Sequence, residues 1–488
     1  MNSNGAKLAP AFRPVGSFQR NAAYRLLPFK SIRLSTSMHL LTNLAGDYVT
    51  IPEEELKSLV QGSIGRDHPI YNDLVGRQFI YEGDPSVSLE LLAAQYRTKQ
   101  SLLSEFTGLH IFVTTLRCDH SCHYCQVSRV SEDRATFDMS KETGAKGVDL
   151  MFQSPSKYLK VEFQGGESLL NFEVVRYVVE LVQQRKGGRN VQFVIASNLA
   201  FLTDEMLSFC AEHDVKFSCS LDGPKSLHNR NRPRPNSDSY EKTIEGIKRV
   251  RTKLGADAVS ALMTTTADTL EQAEAVIDEY VEQGFHSIFL RWISPFGFAI
   301  RSEKKIGYDT ERFIDFYKRG LEHTLQLNLQ GKCLREEYAA IMLRKILTPY
   351  ASGYVDLQSP AGLGLSVLVY NYDGNVYASD ESRMLAEMGD RRFCLGNVHR
   401  HTYEQLFLES SLLETVLDTV VEGMPGCSDC AFSPYCGTDP VYNYATQRDV
   451  VGHRPTSSFC RRNMEILRYL FSILEEGSDR SRVLKGWV

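Results

Sequence analysis

The chain has 488 residues, more than one hydrophobic core usually supports, so two or three domains are expected and a lone binding module is excluded. Hydrophobic residues make up 42% and charged residues 24%, which excludes a disordered chain. The 55 Lys and Arg residues against 60 Asp and Glu give a net charge of −5, which provides no electrostatic footprint for duplex nucleic acid or an anionic membrane.

Residues 1–21 are polar, contain Gly5, Pro10, Pro14 and Gly16, and show no hydrophobic periodicity, which predicts a flexible arm. No apolar run approaches the roughly 18 residues of a membrane span, and the opening residues lack the apolar segment of a secretion signal. The sequence therefore predicts a cytoplasmic protein with neither a membrane segment nor a nucleic-acid partner.

The chain has eleven cysteines. Their odd number and uneven placement argue against a disulfide framework, which a reducing cytoplasm would also disfavour. This cysteine usage indicates metal or redox chemistry.

Residues 22–105 are expected to form a small α/β domain. Two short apolar runs within MHLLTNLAGDYVTI at 38–51 flank an Asn-Leu-Ala-Gly-Asp segment, a pattern that is typical of a β-hairpin. Pro52 is followed by three glutamates, which indicates the start of a helix. We interpret this domain first as an adaptor without catalytic residues.

Residues 106–325 alternate between β-like apolar runs and segments with helical periodicity. The six β-like runs are IFVTT at 111–115, YLKVEFQ at 158–164, VQFVIAS at 191–197, KFSCSLDG at 216–223, AVSALMTT at 258–265 and SIFLRWI at 287–293. The helical segments include FEVVRYVVELVQQR, TDEMLSFCAEH, YEKTIEGIKRVRTKL and TLEQAEAVIDEYVEQ. This alternation predicts an α/β fold with βα units around a parallel sheet or partial barrel, whose ligand site lies at the carboxyl ends of the strands.

Residues 326–488 are expected to form a third domain. A helical stretch runs from Thr310 to about Leu347, and the sequence beyond it has short β-like runs, glycines and five of the remaining cysteines. A segment from Arg462 to Leu474 has an apolar stripe at helical spacing. We expect this C-terminal helix to pack on the body of the protein rather than to bind a separate partner.

Three cysteines, Cys118, Cys122 and Cys125, follow the first predicted core strand in the sequence RCDHSCHYCQ. Three thiols on one loop at a strand end suit a metal. Structural zinc prefers four ligands, whereas a [4Fe–4S] cluster held by three cysteines keeps one iron available for an outside ligand. A zinc site or three structural thiols are the alternatives.

This CxxxCxxC spacing, with the aromatic Tyr124 before its last cysteine, resembles the signature of the radical S-adenosylmethionine (SAM) superfamily. The resemblance implies a partial (β/α)6 barrel and a SAM-binding [4Fe–4S] cluster on the three cysteines. Further positions near SAM that the resemblance implies are Tyr124, Gly165, Gly166, Glu167, Ser197, Asn198, Ser220 and Asp222. Taken singly, the glycines also fit a plain strand-to-helix turn, and Asp222 fits a turn or helix cap.

A second set of cysteines lies in the third predicted domain. It comprises Cys427, Cys430 and Cys436 in CSDCAFSPYC, followed by Cys460. Spacing alone allows a closed zinc site or an iron–sulfur cluster. Resemblance to the SPASM extension of radical SAM peptide maturases implies one auxiliary [4Fe–4S] cluster.

SPASM domains with two auxiliary clusters also need cysteines at positions that resemble Ser359, Ser379 and Pro440 of this chain. All three positions lack cysteine, so we expect one auxiliary cluster to be absent. The other four cysteines are interpreted as small buried hydrophobic residues: Cys210, Cys219, Cys333 and Cys394.

Three segments, YRLLPFKSIRL, LLTNLAGDYVTI and LRWISPFG, resemble the radical SAM maturases of His-Xaa-Ser systems, the HxsB family. That resemblance implies a ribosomally made precursor peptide as substrate, with its leader bound by the N-terminal domain. It also implies SAM cleavage, hydrogen abstraction, oxidative crosslinking, and an external electron donor such as flavodoxin or ferredoxin. Asp380 resembles the catalytic aspartate of sulfatase-type maturases, and its alternative is a solvated loop acid.

Two other functions stay open at this point. The first is oxidation of a Ser or Cys side chain to an aldehyde, as in the sulfatase maturases. The second is a zinc-stabilised regulator that binds peptide or nucleic acid. A regulator would leave the Gly-Gly-Glu motif and the pattern of strand-end residues unexplained.

Overall fold

The computed structural model describes residues 24–127 and 133–488, so the predicted arm at 1–21 lies outside the described residues. The chain divides into two compact units, Met1–Tyr96 and Arg97–Val488. Within the described ranges, no helix is both long and apolar enough to cross a membrane.

The first unit combines two small antiparallel sheets with helices. Its elements are β1 (Arg25–Leu26), β2 (Phe29–Arg33), β3 (Met38–Asn43), β4 (Tyr48–Pro52), α1 (Glu53–Gln61), α2 (Tyr71–Gly76), β5 (Ile80–Tyr81) and α3 (Ser86–Lys99), the last of which crosses the unit boundary. Strands β2, β3 and β4 form one sheet, and β1 pairs with β5.

The hairpin predicted at 38–51 is confirmed as β3 and β4. Leu40 is the register partner of Thr50, and the Asp47 backbone N–H donates to the Asn43 side-chain oxygen at 3.0 Å across the turn. Helix α1 begins at Glu53, as the glutamate run predicts. Leu41, buried in the unit's core, fixes which face of the hairpin turns inward.

The second unit is built on one eight-stranded sheet. The strands of this sheet are β6 (Leu109–Thr115), β7 (Tyr158–Gly165), β8 (Asn190–Ser197), β9 (Val215–Ser220), β10 (Val259–Leu262), β13 (Val367–Tyr370), β14 (Asn375–Tyr377) and β15 (Cys394–Asn397). Strands β11 (Ser287–Ile288) and β12 (Arg335–Glu336) form a separate two-stranded sheet. The order in the sheet is β10-β9-β8-β7-β6-β13-β14-β15. Neighbours from β10 to β13 run parallel, and β14 and β15 are antiparallel additions.

Helices cover this sheet and extend it toward the C-terminus. They are α4 (Arg134–Phe137), α5 (Lys141–Met151), α6 (Phe172–Arg185), α7 (Asp204–Glu212), α8 (Lys225–Asn231), α9 (Ser239–Leu254), α10 (Ala273–Glu282), α11 (Phe298–Arg301), α12 (Glu303–Ile306), α13 (Thr310–Leu329), α14 (Glu337–Leu347), α15 (Asp380–Glu387), α16 (Tyr403–Leu408), α17 (Leu412–Asp418), α18 (Pro440–Gln447), α19 (Ser458–Glu475) and α20 (Asp479–Lys485). The four predicted core helices correspond to α6, α7, α9 and α10. The α/β fold class is confirmed.

Five of the six predicted core strands lie in the main sheet, whereas the sixth run is a strand only at β11, which pairs with β12. The buried carboxylate of Glu336 explains part of this difference, because it accepts the Leu290 backbone N–H at 3.1 Å. Further along, the Thr265 backbone N–H donates to the Arg291 carbonyl at 2.9 Å. The sixth run therefore continues beside the fifth strand through isolated contacts rather than a regular ladder.

The C-terminal region extends the same sheet. Val367 and Tyr370 in β13 are the parallel register partners of Leu109 and Phe112 in β6. The sequence analysis did not pick out this strand, because its four apolar residues are too few to show a period. The strand that leads into the first cysteine loop is thus flanked by a strand from the C-terminal part of the chain.

The C-terminal helix α19 packs on the body of its unit, as predicted. Its apolar face is buried, including Ile466 and Phe471. The Tyr338 hydroxyl of α14 donates to the Asn463 side-chain oxygen at 2.7 Å, and both groups are buried. This packing places the N-terminal turn of α19, which carries Cys460, beside the C-terminal cysteine loop.

Candidate active site

The first cysteine loop begins at the carboxyl end of β6, where it is anchored by an ion pair. The Arg117 guanidinium donates to both carboxylate oxygens of Asp138 at 2.7 Å and to the Leu170 carbonyl at 2.8 Å. The Thr115 hydroxyl donates to the same aspartate at 2.6 Å. These contacts fix the direction in which the chain leaves the sheet.

Cys118, Cys122 and Cys125 all line one cavity of about 440 Å³ at this end of the sheet. The segment 297–298 supports the loop, since the Phe298 N–H donates to the Cys125 carbonyl at 2.8 Å. Gly297 has φ +60°, and a Cβ there would lie 2.7 Å from the Cys125 carbonyl oxygen. The three predicted cysteines therefore lie on one loop, whose backbone is held at its start by the contacts of Arg117 and at its end by the Phe298 N–H.

Burial opposes ionisation of these thiols. It raises the pKa of Cys122 to about 12, an effect that the positive charge of Arg232 partly offsets. Burial also raises the pKa of Cys118, and the neighbouring Cys122 and Glu167 raise it further. A thiolate set here needs a cationic ligand for its stability, and binding of a metal centre would release protons.

Tyr124 lines the cavity, and its hydroxyl donates to the Asp222 carboxylate at 2.5 Å. Asp222 is fully buried beneath it, where Arg232 Nε lies 3.2 Å from the same carboxylate oxygen. The Thr264 N–H donates to the other oxygen at 3.3 Å. Asp222 is not part of the cavity wall; it holds Tyr124 and Arg232 in place.

Arg232 is a cavity residue that the sequence analysis missed. Its guanidinium lines the cavity and lies 5.2 Å from the centre of the Tyr124 ring. The nearby carboxylate of Asp222 keeps the pKa of Arg232 above its usual range despite burial. Nothing in the run HNRNRPRPNSD distinguishes this arginine from its neighbours, so only the fold identifies it.

Gly165 and Gly166 allow β7 to touch the backbone that leads to the cysteine loop. Gly165 has φ +150°, and a Cβ would lie 2.1 Å from the Thr115 carbonyl oxygen; at Gly166 a Cβ would lie 2.2 Å from the Arg117 carbonyl oxygen. The Gly166 N–H donates to the Thr115 carbonyl at 2.8 Å. Both glycines also line the cavity, so the close backbone approach shapes its wall.

Glu167 is buried and bonds to the end of the next strand. Its carboxylate accepts the Ser197 hydroxyl at 2.7 Å, the Asn198 N–H at 2.8 Å and the Leu169 N–H at 3.1 Å. Burial raises the pKa of Glu167 to about 7, and these donors limit the rise. The three predicted residues Glu167, Ser197 and Asn198 therefore form one hydrogen-bonded unit that also lines the cavity.

Asp119 and His120 tie this unit to the cysteine loop. The Asn198 amide donates to Asp119 at 3.0 Å, and Asp119 also pairs with Arg234 at 2.7 Å. The two His120 ring nitrogens contact Asp119 at 2.7 Å and the Ser239 hydroxyl at 2.8 Å.

The ligand atoms of Cys118, Asp119 and His120 lie within 4.8 Å of one another. Because the aspartate and histidine already have these partners, we interpret both as supports of the loop rather than as metal ligands.

Ser220, at the end of β9, lines the cavity as well.

Asp380 lines the same cavity from the C-terminal half of the chain. It is the first residue of α15, which Ser379 caps through a hydrogen bond from the Ser382 N–H at 3.2 Å. Its carboxylate lies 3.3 Å from Nε of the buried Arg383. The cavity thus brings the predicted cysteine triad and the predicted base into one space, together with Asp356 and Glu381, two acids that the sequence analysis missed.

The four C-terminal cysteines occupy two adjacent elements. Cys427, Cys430 and Cys436 lie in consecutive tight turns, and Cys460 lies in the first turn of α19, where its N–H donates to the Ser457 hydroxyl at 3.2 Å. Burial raises the pKa of Cys460 to about 12, with smaller contributions from the other three thiols. The Asn463 side-chain amide of α19 donates to the Cys436 sulfur at 3.8 Å, so the two elements lie side by side at these cysteines.

Two buried amines lie beside this group. The Lys345 ammonium donates to the carbonyls of Cys436, at 2.5 Å, and Leu357. Lys99 lies 5.3 Å from the centre of the Tyr435 ring. Burial lowers the pKa of Lys345 to about 7, and a thiolate at Cys436 favours its charged form. A metal centre with net negative charge on these thiolates would therefore stabilise the ammonium.

The positions expected to supply a second auxiliary cluster have other partners. The Ser359 hydroxyl donates to Glu422 at 2.7 Å and accepts the Val421 N–H at 3.0 Å. Ser379 caps α15, and Pro440 is the first residue of α18. Each of these three positions therefore has a structural role in the described fold.

Of the remaining cysteines, Cys210 and Cys219 are buried as predicted. The prediction is wrong for Cys333, which is exposed because it follows the Gly331 turn after α13. It is also wrong in part for Cys394, which is half-buried at the start of the edge strand β15.

Residues 112–280 match the family model of the Radical SAM superfamily. This match runs from within β6 to within α10 and includes the three cysteines and Arg232, whereas Asp380 and the other C-terminal residues of the cavity wall lie outside it. The matched part of the chain therefore corresponds to a radical SAM domain.

Curated relatives match between about a quarter and three fifths of the chain. An uncharacterized protein of Methanothermobacter thermautotrophicus is 29% identical over 36% of this chain and 64% of its own length. A second, from Methanocaldococcus jannaschii, is 26% identical over 28% of this chain and 46% of its own length. The cysteine-type anaerobic sulfatase-maturating enzyme of Clostridium perfringens strain ATCC 13124 is 22% identical over 59% of this chain and 77% of its own length. The chain covers less than two thirds of the length of each of the first two relatives.

Solved structures share the fold over a longer stretch. Native anSMEcpe with bound AdoMet has a TM-score of 0.64 at 19% identity, covering 76% of this chain and 98% of that one. Streptococcus suis SuiB bound to precursor peptide SuiA has a TM-score of 0.54 at 12% identity, covering 89% of this chain and 98% of that one. At these identities the likeness concerns the fold.

Proposed function

Because the chain carries a radical SAM domain, we propose that the whole protein is a maturase that oxidises a ribosomally made precursor peptide. One observation carries the proposal: the three thiols, the guanidinium of Arg232 and the carboxylate of Asp380 all line a single cavity. That cavity joins a cofactor region from the radical SAM domain to an acid from the C-terminal part of the chain.

The residues of the cavity fit the cofactors of this superfamily. Cys118, Cys122 and Cys125 would hold a [4Fe–4S] cluster, and Arg232 would face the carboxylate of SAM. When bound, the cluster and SAM supply a 5′-deoxyadenosyl radical that abstracts a hydrogen atom from the substrate. The backbone contacts of Gly165 and Gly166 hold the strand ends in place, which preserves the positions on which such a reaction depends.

Asp380 is proposed to accept the proton that leaves when the substrate is oxidised. Its place in the first turn of α15 fixes it at the cavity wall, and Arg383 orients its carboxylate. A positioned base of this kind typically contributes about 10²–10⁴-fold to a rate.

The four C-terminal cysteines are proposed to hold one auxiliary [4Fe–4S] cluster, which would accept the electron that oxidation releases. Lys345 and Lys99 would compensate its negative charge. The SAM-binding cluster needs an external electron donor, for which flavodoxin or ferredoxin is suitable.

The finer proposal is a precursor of the His-Xaa-Ser type that becomes crosslinked, with its leader bound by residues 22–105. Its support is the resemblance of three sequence segments and the antiparallel sheet β2-β3-β4, whose outer strands could take on a peptide strand. SuiB, which shares the fold, was solved with its precursor peptide SuiA.

A second candidate is oxidation of a Ser or Cys side chain to an aldehyde. The sulfatase-maturating relative of C. perfringens and the fold of anSMEcpe favour it, since both extend beyond the radical SAM domain. The two candidates differ in the product rather than in the cofactors.

Anaerobic coexpression of the chain with a small precursor encoded next to it tests both candidates by mass spectrometry. A crosslink removes the mass of two hydrogen atoms and leaves no aldehyde, whereas a Ser-derived aldehyde has the same mass change but reacts with a hydrazide. The variant with Cys118, Cys122 and Cys125 replaced by Ala is the control. If the enzyme cleaves SAM but leaves the precursor unmodified, the proposal is wrong for that class of peptide. If the triple variant still modifies the precursor, the proposed role of the three cysteines is wrong.

A further inference from the structure

A second, smaller cavity adjoins the active-site cavity. It offers about 10 Å³ to the centre of a water molecule, which is enough for about one water. Four residues line both spaces: Arg291, Tyr354, Asp356 and Glu381. The smaller cavity is also lined by Asp439 and Arg462, so acids line both cavities from the substrate space to the C-terminal region.

Three carboxyl groups along the two cavities come from separate parts of the fold. Asp356 precedes β13, Glu381 lies in the first turn of α15, and Asp439 caps α18, where its carboxylate accepts the Tyr442 N–H at 2.9 Å. They flank the three positions at which a second auxiliary cluster would need cysteine. This chain thus has acids near the place where that metal centre would be expected.

An unsatisfied guanidinium faces the same small cavity. Arg462 is 4% exposed and stacks over the Trp292 ring at 3.5 Å, yet among the described residues its Nε and Nη2 have no hydrogen-bond partner. Buried N–H donors are almost always bonded, so this pair indicates a polar occupant such as water between Arg462 and the acids. The cluster therefore has both the space and the donors for a bound water.

The charges of the cluster require it to retain protons. Three carboxyls face two guanidiniums, so full ionisation would leave excess negative charge in a largely buried region. Burial, together with the neighbouring acids Asp356, Asp439 and Asp380, raises the pKa of Glu381 to about 8. Burial also raises the pKa values of Asp356 and Asp439. The charged and titratable groups that face Glu381 are Asp356, Asp380, Asp439, Arg291, Arg462, Tyr354 and Tyr442.

We propose that Glu381, Asp356 and Asp439 form a proton relay that takes the substrate-derived proton from Asp380 and carries it, through the small cavity, away from the substrate. This inference rests on the proposed function. In that reaction the oxidised substrate gives up one electron and one proton, and an iron–sulfur centre on the four-thiolate site is the acceptor class for the electron. The proton leaves the Asp380 O–H for the Glu381 carboxylate, which restores Asp380 as a base.

The test compares Glu381→Gln with Glu387→Gln, a matched change on the same helix that lines neither cavity. The full-length reconstituted enzyme is assayed for product per deoxyadenosine between about pH 6 and pH 9. In the parent this ratio should increase with pH as the relay loses protons and becomes able to accept one. Glu381→Gln should lower the ratio about tenfold and move the increase to lower pH, because the other two acids lose a like-charged neighbour. Glu387→Gln should change neither.

Asp439→Asn provides a second variant, since Asn also caps helices well and should preserve the fold. We expect it to move the pH profile in the same direction as Glu381→Gln. Parent-like ratios and profiles in both variants would show that the acids are structural. A parallel loss of deoxyadenosine and product in a folded Glu381→Gln protein would assign that residue to binding and also overturn the relay.

An infrared titration separates this inference from the proposed function, because it needs neither SAM nor peptide. The difference spectrum between the parent and Glu381→Gln should contain a carboxylic acid C=O band that fades as the pH rises past about 8. If that band is absent, the relay is wrong even if the peptide is modified. If the band is present but no peptide is modified, the proposed function is wrong. Glu381 would then hold a proton without serving in that reaction.

Discussion

At Gly165, the peptide backbone of one strand passes within contact distance of the neighbouring strand, at the point where the cysteine loop begins. The left-handed backbone and the overlap that any Cβ would make with Thr115 leave no room for a side chain. The same residue lines the cavity. A single position therefore serves both the sheet and the shape of the site.

Replacing Gly165 by Ala should destabilise the fold by at least about 1–3 kcal/mol, because the new Cβ meets backbone rather than a flexible side chain. Gly188→Ala is the matched control, since no atom lies within 4 Å of a Cβ there. Thermal denaturation of both variants should show a large drop in Tm for the first and little change for the second. Equal Tm values would show that β7 can shift to make room.

Replacing Asp380 by Asn should lower product formation by about two orders of magnitude or more while deoxyadenosine still forms. The base acts after hydrogen abstraction, so deuterium from labelled substrate should still reach deoxyadenosine. Asp390→Asn, three residues after the end of the same helix and outside the cavity, should behave as the parent. Parent-level product from Asp380→Asn would assign Asp380 to the structural role of a helix-start acid.

Some site residues could be predicted from the sequence because a motif or a strand end identified them. Cys118, Tyr124 and Gly165 fall in this group, and all three line the cavity. Arg232 and Asp222 form a buried ion pair, and only the packing of the fold determines which of the two faces the cavity. The sequence analysis therefore singled out Asp222, whereas the structure shows that Arg232 lines the cavity.

The elements show the same difference between local pattern and long-range pairing. Strands β6 to β10 carry enough apolar residues to show their period, and all were predicted. Strand β13 has four residues, and its place beside β6 depends on a partner more than 250 positions away. The short β11 was overpredicted because side-chain oxygens of Glu336 replace part of its ladder.

Helix α19 links a metal-ligand candidate to the core through its buried face. Cys460→Ala removes a thiol from the first turn but keeps the Ser457 cap and the apolar stripe. We expect the reconstituted protein to fall from about eight irons to about four, with product lost and uncoupled SAM cleavage partly retained. Cys210→Ala, a buried cysteine on α7, should keep the full iron content. Zinc in place of iron, or an unchanged iron count in the Cys460 variant, would contradict the auxiliary cluster.

At the scale of the molecule, the first unit contains a complete small core of its own. A variant that lacks residues 1–85 but keeps α3 should retain uncoupled SAM cleavage, because every residue of the cavity lies in the second unit. Precursor binding should weaken at least about tenfold if that unit holds the leader, which fluorescence anisotropy with a labelled leader would measure. The full-length protein is the reference. If the deletion variant binds the leader with the same affinity, the first unit does not bind the leader.

The pairing of β13 with β6 also sets a condition on how the protein is made. Until the ribosome has released residues near 370, β6 lacks its neighbour on one side and is an open sheet edge. The strand that leads into the cysteine loop therefore keeps one open edge through most of synthesis, and we expect delivery of iron and sulfur to the loop to follow the synthesis of β13. A truncated or stalled chain would then have an open edge at β6 that favours aggregation. It would not carry an incomplete, oxygen-sensitive iron–sulfur cluster.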